Sequence, residues 1–169
     1  MKFDELKRAL IGEWRGTKQL YLEPPPAPAI SSPSKMSVKP IAGGSFLQFD
    51  YDWTYEGAEQ AGLLLFGYDD ENAASAAWVD SFHMSSKIMS CAGRAADRSA
   101  ELSGSYAAPP GPDWGWRITI RSVSPNEFMI VMHNISPEAQ EDLAVQIDYT
   151  RRRDPTSENL QAIQAVRAE

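Results

Sequence analysis

The sequence lacks the usual features of secreted and membrane proteins. It has a single cysteine, Cys91, so no internal disulfide can form. Its apolar runs, such as residues 61–66, are far shorter than the ~20 residues that a transmembrane helix needs. Residues 1–8 (MKFDELKR) contain no apolar core of a secretory signal. These absences predict a protein of the reducing cytoplasm that has no membrane partner.

Basic charge and motifs for metals or nucleotides are also scarce. Lys and Arg total 16 against 23 Asp and Glu, and the resulting formal charge of −7 argues against a nucleic-acid partner. The only two histidines, His83 and His133, fit no metal-ligand spacing. The sequence contains no phosphate-binding loop, dinucleotide fingerprint or nucleophile elbow. We therefore expect no metal and no cofactor.

The composition that remains is that of a globular protein rich in β-strands. Hydrophobic residues make up 43% of the 169 positions. Turn residues separate about ten strand-like runs, and the glycine pair at residues 43–44 predicts a hairpin. A short helix is predicted to end at Gly12. The predicted strands cover residues 13–22, 35–42, 45–56, 60–68, 74–83, 87–94, 100–106, 114–122, 127–135 and 143–152.

Short connections without crossover helices make these strands antiparallel neighbours, and their regular spacing predicts a barrel. Residues 1–153 are thus predicted to form one all-β barrel domain. Residues 154–169 follow as a helical tail, since Asp154 can cap a helix and Pro155 suits its first turn. The proline-rich residues 24–28 are predicted to be a stiff loop over one mouth of the barrel, with a ligand for another protein domain as the alternative.

The third strand predicts what the barrel contains. Because successive side chains point to opposite faces, every second residue of this strand faces inward. An aromatic column then lies inside, opposite a polar face. Its tyrosine and tryptophan tips need polar partners, which favours a ligand-lined or partly hydrated cavity, while a solid aromatic core is the alternative. The inward residues are Leu47, Phe49, Tyr51, Trp53 and Tyr55.

A motif in the first strand resembles that of calycin barrels, the group of lipocalins, fatty-acid-binding proteins and nitrobindin-like proteins. Gly12 and Trp14 form the Gly-x-Trp of this motif, and Arg151 lies near the end of the last strand. The resemblance implies that Trp14 and Arg151 pack together as a barrel-closing pair, which a cation–π contact explains physically. Nitrobindin-like proteins bind haem through a histidine near the C-terminus, and here no histidine follows His133.

Five further blocks resemble an uncharacterised bacterial family whose domain has no assigned function. The resemblance extends over most of the chain and implies a fold without implying an activity. The blocks are GEWRGT at residues 12–17, WTYEG at 53–57, LLLFGYD at 63–69, WVDSFHMS at 78–85 and PPGPDWGWR at 109–117.

The fifth predicted strand carries two polar candidates. Asp80 shares the inward face with Trp78, so it is either satisfied by a Tyr, Trp or backbone donor, or grips the polar group of a ligand together with a tyrosine hydroxyl such as that of Tyr55. His83 should face outward unless the strand ends or bulges before it. His133 is predicted to be a hydrogen-bonded histidine of the barrel wall, and Cys91 a small buried side chain.

Three functions follow as hypotheses. The first is a binder of a small, largely apolar molecule in an aromatic-lined cavity, as monomer or homodimer. The second is an enzyme of isomerase or hydrolase type that uses Asp80 and His83 in the same pocket. The third is a protein-interaction module with a solid core. The predicted ligand-binding residues are Tyr51, Trp53, Tyr55, Phe66, Trp78, Asp80, His83 and Trp116.

Overall fold

The computed structural model describes residues 5–152, which form one short helix and ten β-strands. The predicted helix at residues 154–169 lies outside these described residues. The elements are α1 (Glu5–Leu10), β1 (Gly12–Leu20), β2 (Ile30–Ile41), β3 (Phe46–Tyr55), β4 (Ala58–Tyr68), β5 (Ala73–Asp80), β6 (Met89–Ala96), β7 (Ser99–Tyr106), β8 (Trp114–Ser124), β9 (Glu127–Ile135) and β10 (Glu141–Arg151).

The ten strands form a closed antiparallel barrel, which confirms the predicted fold class. Each strand pairs with its neighbours in the sequence, and β1 pairs with β10 to close the sheet. The closing register runs from the Trp14–Arg151 pair to the Leu20–Val145 pair. Because the sheet closes on itself, none of the ten described strands lies at an open edge of the sheet.

The connections give the barrel two different ends. At the end covered by α1, called the helix end here, residues 42–45, 69–72, 97–98 and 125–126 make short turns. The opposite end, called the loop end, carries the longer segments 21–29, 81–88, 107–113 and 136–140. Long loops on a rigid scaffold are the usual location of binding residues. The predicted proline loop at residues 24–28 lies at the loop end.

Alternation along the strands fills the barrel with side chains. In β3 the buried residues are Leu47, Phe49, Tyr51 and Trp53, as predicted. The buried residues of β8 include Trp116, Ile118 and Ile120. Full burial of one such side chain contributes on the order of 2 kcal/mol, so this interior supplies most of the driving force for folding.

Two strand boundaries differ from the prediction by more than two residues. β2 begins at Ile30, earlier than expected, because Pro33 occupies an exposed position within the strand instead of ending a loop. β5 ends at Asp80, earlier than expected. The Oδ1 atom of Asp80 accepts hydrogen bonds from the backbone amides of Phe82 and His83, at 2.9 and 2.8 Å, and this local turn ends the strand.

At the helix end, Arg151 and Trp14 join α1 to the barrel. The guanidinium of Arg151 lies 4.1 Å from the centroid of the Trp14 ring and donates to the carbonyls of Ala9 and Ile11, each at 2.8 Å. Trp14 Nε1 donates to the carbonyl of Leu10 at 2.9 Å. These bonds satisfy carbonyls that the end of a helix leaves without partners. A side chain at Gly12 would collide with the guanidinium, since its Cβ would lie 2.4 Å from Nη1.

We expect Arg151→Lys to lower the free energy of unfolding by about 1–3 kcal/mol. An ammonium cannot reproduce two divergent hydrogen bonds and a planar stack on an indole. Urea denaturation measures the change. Arg152→Lys is the matched control, because Arg152 is exposed and should shift the free energy by less than ~0.5 kcal/mol. Equal effects of the two substitutions would contradict this account.

Candidate functional site

Aromatic side chains from three strands and one loop meet at the loop end of the barrel. The imidazole of His83 lies among them, with its ring centroid 6.2 Å from that of Trp53, 5.7 Å from Trp78 and 5.4 Å from Trp116. Phe82 is 5.0 Å away. We call these five residues the aromatic cluster. Trp78 and Trp116 also stack on each other at 5.5 Å, so the cluster is a continuous set of packed rings.

Hydrogen bonds among Tyr51, Trp78 and Asp80 hold the cluster in position. The hydroxyl of Tyr51 donates to Oδ2 of Asp80 at 2.7 Å and accepts from Nε1 of Trp78 at 2.8 Å. Burial, followed by the Asp80 charge, raises the pKa of Tyr51, so this hydroxyl keeps its proton and remains a donor. The network therefore fixes the positions of one cluster ring and of the carboxylate that ends β5.

Gly62 makes this network possible. It lies on β4 between its register partners, Tyr51 on β3 and Asp80 on β5. A Cβ atom at Gly62 would lie 2.1 Å from the Tyr51 hydroxyl, so the phenol occupies the space where a side chain would otherwise stand. Only glycine lets the Tyr51 ring cross β4 and reach Asp80.

The sequence left two alternatives open for Asp80, a carboxylate hydrogen-bonded within the protein or one that binds a ligand. The structure shows the first. Asp80 is 1% exposed, Oδ2 accepts from Tyr51, and Oδ1 accepts from two backbone amides. Its tyrosine partner is Tyr51 and not Tyr55. Asp80 contacts His83 through the backbone amide of that residue, so the carboxylate–imidazole hydrogen bond of a catalytic dyad is not formed. Its two oxygens are thus used to stabilise the turn after β5 and to bind the Tyr51 hydroxyl.

The same turn explains the position of His83. Continued alternation would have pointed His83 outward, but β5 ends at Asp80 and the following turn brings the imidazole back over the barrel interior. Burial, followed by the charge of Lys18, lowers the pKa of His83 to about 4, against the opposing effect of Asp80. The imidazole is therefore neutral at pH 7.

Lys18 is a site residue that the sequence analysis missed. It is 2% exposed, and its ammonium lies 3.3 Å from the centroid of the Trp53 ring. Burial lowers the pKa of Lys18 to about 8, and the attraction of Asp80 limits that fall. The signal was present in the sequence: Lys18 is four residues after Trp14 in β1, so alternation places both on the inner face.

Three buried polar atoms of the cluster have no hydrogen-bond partner within residues 5–152. They are Nε1 of Trp53, Nε2 of His83 and Nε1 of Trp116. Native structures pair nearly all buried polar groups, because each unpaired one costs about 1–3 kcal/mol. Three such atoms in one cluster make the loop end the candidate functional site.

Other predicted site residues lie outside the cluster. Tyr55 touches its edge, 4.8 Å from Phe82. Phe66 packs at the helix end against Phe49 and Tyr68, so the structure does not bring it to the other predicted ligand-binding residues. Trp14 and Arg151 also lie at the helix end.

The two remaining polar candidates lie elsewhere in the barrel wall. His133 is on the outer side of β9, and its buried Nδ1 has no partner among the described residues, so the predicted hydrogen-bonded histidine is not observed. Cys91 is free and buried, as predicted, and burial raises the pKa of its thiol to about 11.

A surface cleft of about 330 Å³ leads to the cluster. It lies between the 81–88 and 107–113 loops and includes His83, Ile88 and Tyr106. A second cleft, of about 550 Å³, lies along β2–β4 and includes Trp53. A third, of about 570 Å³ at the helix end, is lined by Arg8, Arg98 and Arg151 and does not touch the cluster. The first cleft is lined by His83 and the second by Trp53, and each of these residues has an unpaired buried nitrogen within residues 5–152.

Among residues 5–152, no three or more His, Cys, Asp or Glu side chains converge in a way that would hold a metal ion. Within the same range, the single helix is too short and too polar to cross a membrane.

A family model described as protein of unknown function (DUF1579) matches residues 5–151. The chain belongs to the DUF1579 family. The match begins in α1 and ends at the last residue of β10, so it covers the whole described DUF1579 barrel. It confirms the family resemblance carried by the five sequence blocks. None of the curated proteins matches the chain.

Two solved structures share the DUF1579 barrel. Rv2717c from M. tuberculosis aligns with a TM-score of 0.56 and 12% identity, over 86% of this chain and 94% of that one. The S-type phycobiliprotein lyase CPES from Guillardia theta aligns with a TM-score of 0.56 and 11% identity, over 91% of this chain and 99% of that one. At such identities the likeness establishes a lipocalin-like fold and no more.

We expect Gly62→Ala to destabilise the DUF1579 barrel by about 2–4 kcal/mol. The added methyl group would displace the Tyr51 phenol and leave the buried Asp80 carboxylate without its side-chain donor. Chemical denaturation measures the loss. In the control Gly111→Ala, the new methyl meets only ordinary contact at 3.6 Å and the free energy should stay nearly unchanged. A tolerated Gly62→Ala would show that the Tyr51–Asp80 bond is dispensable.

Lys18→Met should raise the free energy of unfolding at pH 7 by about 2 kcal/mol, because it removes a charge that burial disfavours. In the wild type the native pKa of about 8 lies below the ordinary value of 10.5, so the unfolded chain binds more protons between these values. Wild-type stability therefore rises with pH across this window, and the advantage of the variant shrinks. Denaturation at pH 7 and pH 10 measures both effects.

Lys39→Met is the control for this prediction, because Lys39 is exposed on β2. Its difference from the wild type should be small and independent of pH. A Lys18→Met protein that is less stable than the wild type at pH 7 would mean that Lys18 holds the fold together, contrary to the prediction.

Proposed function

We propose that this DUF1579 protein binds a small, largely apolar molecule at the loop end of its barrel, as a cytoplasmic carrier or sensor. The single observation that carries the proposal is the set of unpaired buried nitrogens on Trp53, His83 and Trp116. They lie within an otherwise apolar set of packed rings. A few convergent polar groups within a mainly aromatic lining are the usual composition of a small-molecule site.

The cost of the site residues to the stability of the protein supports the same proposal. A protein selected only for stability would place an apolar side chain at position 18, since a buried ammonium costs free energy. It would likewise pair the indole nitrogens of Trp53 and Trp116 or replace these rings with phenylalanine. Features that lower stability and persist tend to occur at functional sites.

Access to the site favours the loop end. The cleft of about 330 Å³ reaches His83 from the surface, so a ligand that enters between the two loops meets the imidazole first. The rings of Trp53, Trp78 and Trp116 lie directly behind it.

The free thiol of Cys91 is compatible with the reducing compartment expected from the sequence.

An enzymatic role for Asp80 and His83 has less support than binding. Both oxygens of Asp80 already accept hydrogen bonds, so the carboxylate has no free side towards the cleft. The Guillardia theta protein of similar fold is called a lyase, but that likeness extends to the fold alone. The geometry therefore favours a binder in which Asp80 positions His83 and the aromatic rings make the contact.

The test uses N-phenyl-1-naphthylamine, a neutral dye whose fluorescence rises in apolar surroundings. We expect saturable binding to the wild type and roughly tenfold weaker binding to Trp116→Leu, which removes a ring of the cluster and ~1.4 kcal/mol of contact. Phe128→Leu is the matched control. Phe128 packs on Trp14 at the helix end, so its loss should reduce stability without changing dye affinity.

Two results would overturn the proposed function. One is the absence of saturable binding to the folded wild type of this dye and also of 1-naphthaleneacetate and 1-naphthaleneacetamide. The other is an equal loss of affinity in Trp116→Leu and Phe128→Leu, which would mean that the dye reports general loosening of the barrel. Circular dichroism of each variant shows whether it is folded before the titration.

A further inference from the structure

Within residues 5–152, two of the three unpaired buried nitrogens of the cluster can act only as hydrogen-bond donors. An indole nitrogen can only donate, so Trp53 and Trp116 each offer an N–H group. The ammonium of Lys18 also only donates, and its contact is with the π face of Trp53. The neutral imidazole of His83 can present Nε2 as a donor or an acceptor, according to its tautomer. Three of the four polar groups are thus donors by chemistry.

The acceptors of the same region are already in use. Asp80 accepts through both carboxylate oxygens, and it is 1% exposed. The Tyr51 hydroxyl accepts from Trp78 and donates to Asp80, so neither of its roles is free for a newcomer. A ligand that needed to donate a hydrogen bond, such as an amine, would find one partner among these groups, the imidazole of His83 in the tautomer that leaves Nε2 unprotonated. A ligand group that only accepts would find several.

The charge of Lys18 next to the cluster is positive, which suits a ligand group that accepts hydrogen bonds and is negatively charged. Lys18 is a buried cation that is attracted by the charge of Asp80, and that carboxylate already accepts hydrogen bonds from three donors. Within residues 5–152 no anion is hydrogen-bonded to this ammonium, so its charge is compensated only by the contact with the indole and by the more distant Asp80. A ligand anion would supply the missing charge and accept from the unpaired indoles.

Resting on the proposed function, we infer that the ligand is an aromatic or otherwise flat apolar molecule carrying a carboxylate, and that Lys18 selects it by charge. The carboxylate accepts from the Lys18 ammonium and from the indole N–H groups of Trp53 and Trp116. The apolar body lies in the cleft lined by His83, Ile88 and Tyr106, against the packed rings of the cluster. Charge-assisted hydrogen bonds of this kind are about twice as strong as neutral ones.

A pair of isosteric probes isolates the charge. 1-Naphthaleneacetate and 1-naphthaleneacetamide share one aromatic body and differ in whether the end group is an anion or a neutral amide. Isothermal titration calorimetry at pH 7 gives both dissociation constants. We expect the acetate to bind the wild type at least tenfold more tightly than the amide.

Two substitutions at Lys18 test whether this residue causes the preference for the acetate over the amide. Lys18→Met removes the charge and the donor, whereas Lys18→Gln removes the charge and keeps a donor. Both should lose at least tenfold in affinity for the acetate and change affinity for the amide by less than about threefold. Lys39→Met is the control for total charge, and it should keep the wild-type preference because Lys39 is exposed on the outside of β2.

The outcomes separate the inference from the function on which it rests. Equal binding of acetate and amide to the wild type, or an unchanged preference in both Lys18 variants, would overturn the inference and leave the binder standing. Binding of N-phenyl-1-naphthylamine without binding of either naphthalene probe would do the same. If neither the dye nor the probes bind the wild type, the proposed function itself is overturned.

Discussion

The carboxylate of Asp80 is the constraint on which the loop end of this barrel depends. Its Oδ1 atom accepts two backbone amides, which ends β5 and turns His83 over the interior. Its Oδ2 atom accepts from Tyr51, which in turn holds Trp78. Gly62 leaves the room for that contact. One buried carboxylate therefore sets the strand length, the position of the histidine and the orientation of a tryptophan.

The two ends of the barrel differ in how their buried hydrogen-bond donors and acceptors are paired. At the helix end, Arg151 and Trp14 supply donors to carbonyls of α1 and the following residue, so donors and acceptors there are matched. At the loop end, donors on Trp53 and Trp116 and the cation of Lys18 exceed the acceptors left to receive them. The helix end thus has its polar groups paired, which stabilises the fold, whereas the loop end is where the proposed ligand would supply acceptors.

Features governed by strand alternation could be predicted from the sequence. The inward aromatic column of β3 and the Trp14–Arg151 pair follow from parity and a short motif. Lys18 was predictable by the same rule and was missed because lysine is expected outside. The turn at Asp80 was not predictable, since it depends on which backbone amides the carboxylate reaches. Phe66 shares the inward parity of the site residues, but alternation does not tell at which end of a strand a cluster forms.

The most direct test observes the unpaired donors themselves. The five indole N–H signals in a ¹H–¹⁵N correlation spectrum can be assigned through Trp→Phe variants and followed during titration with 1-naphthaleneacetate. We predict that the signals of Trp53 and Trp116 move downfield as they gain an acceptor. The signal of Trp14, already bonded to Leu10, should stay in place. Saturating binding that leaves the Trp53 and Trp116 signals unmoved would contradict the claim that these donors await a ligand.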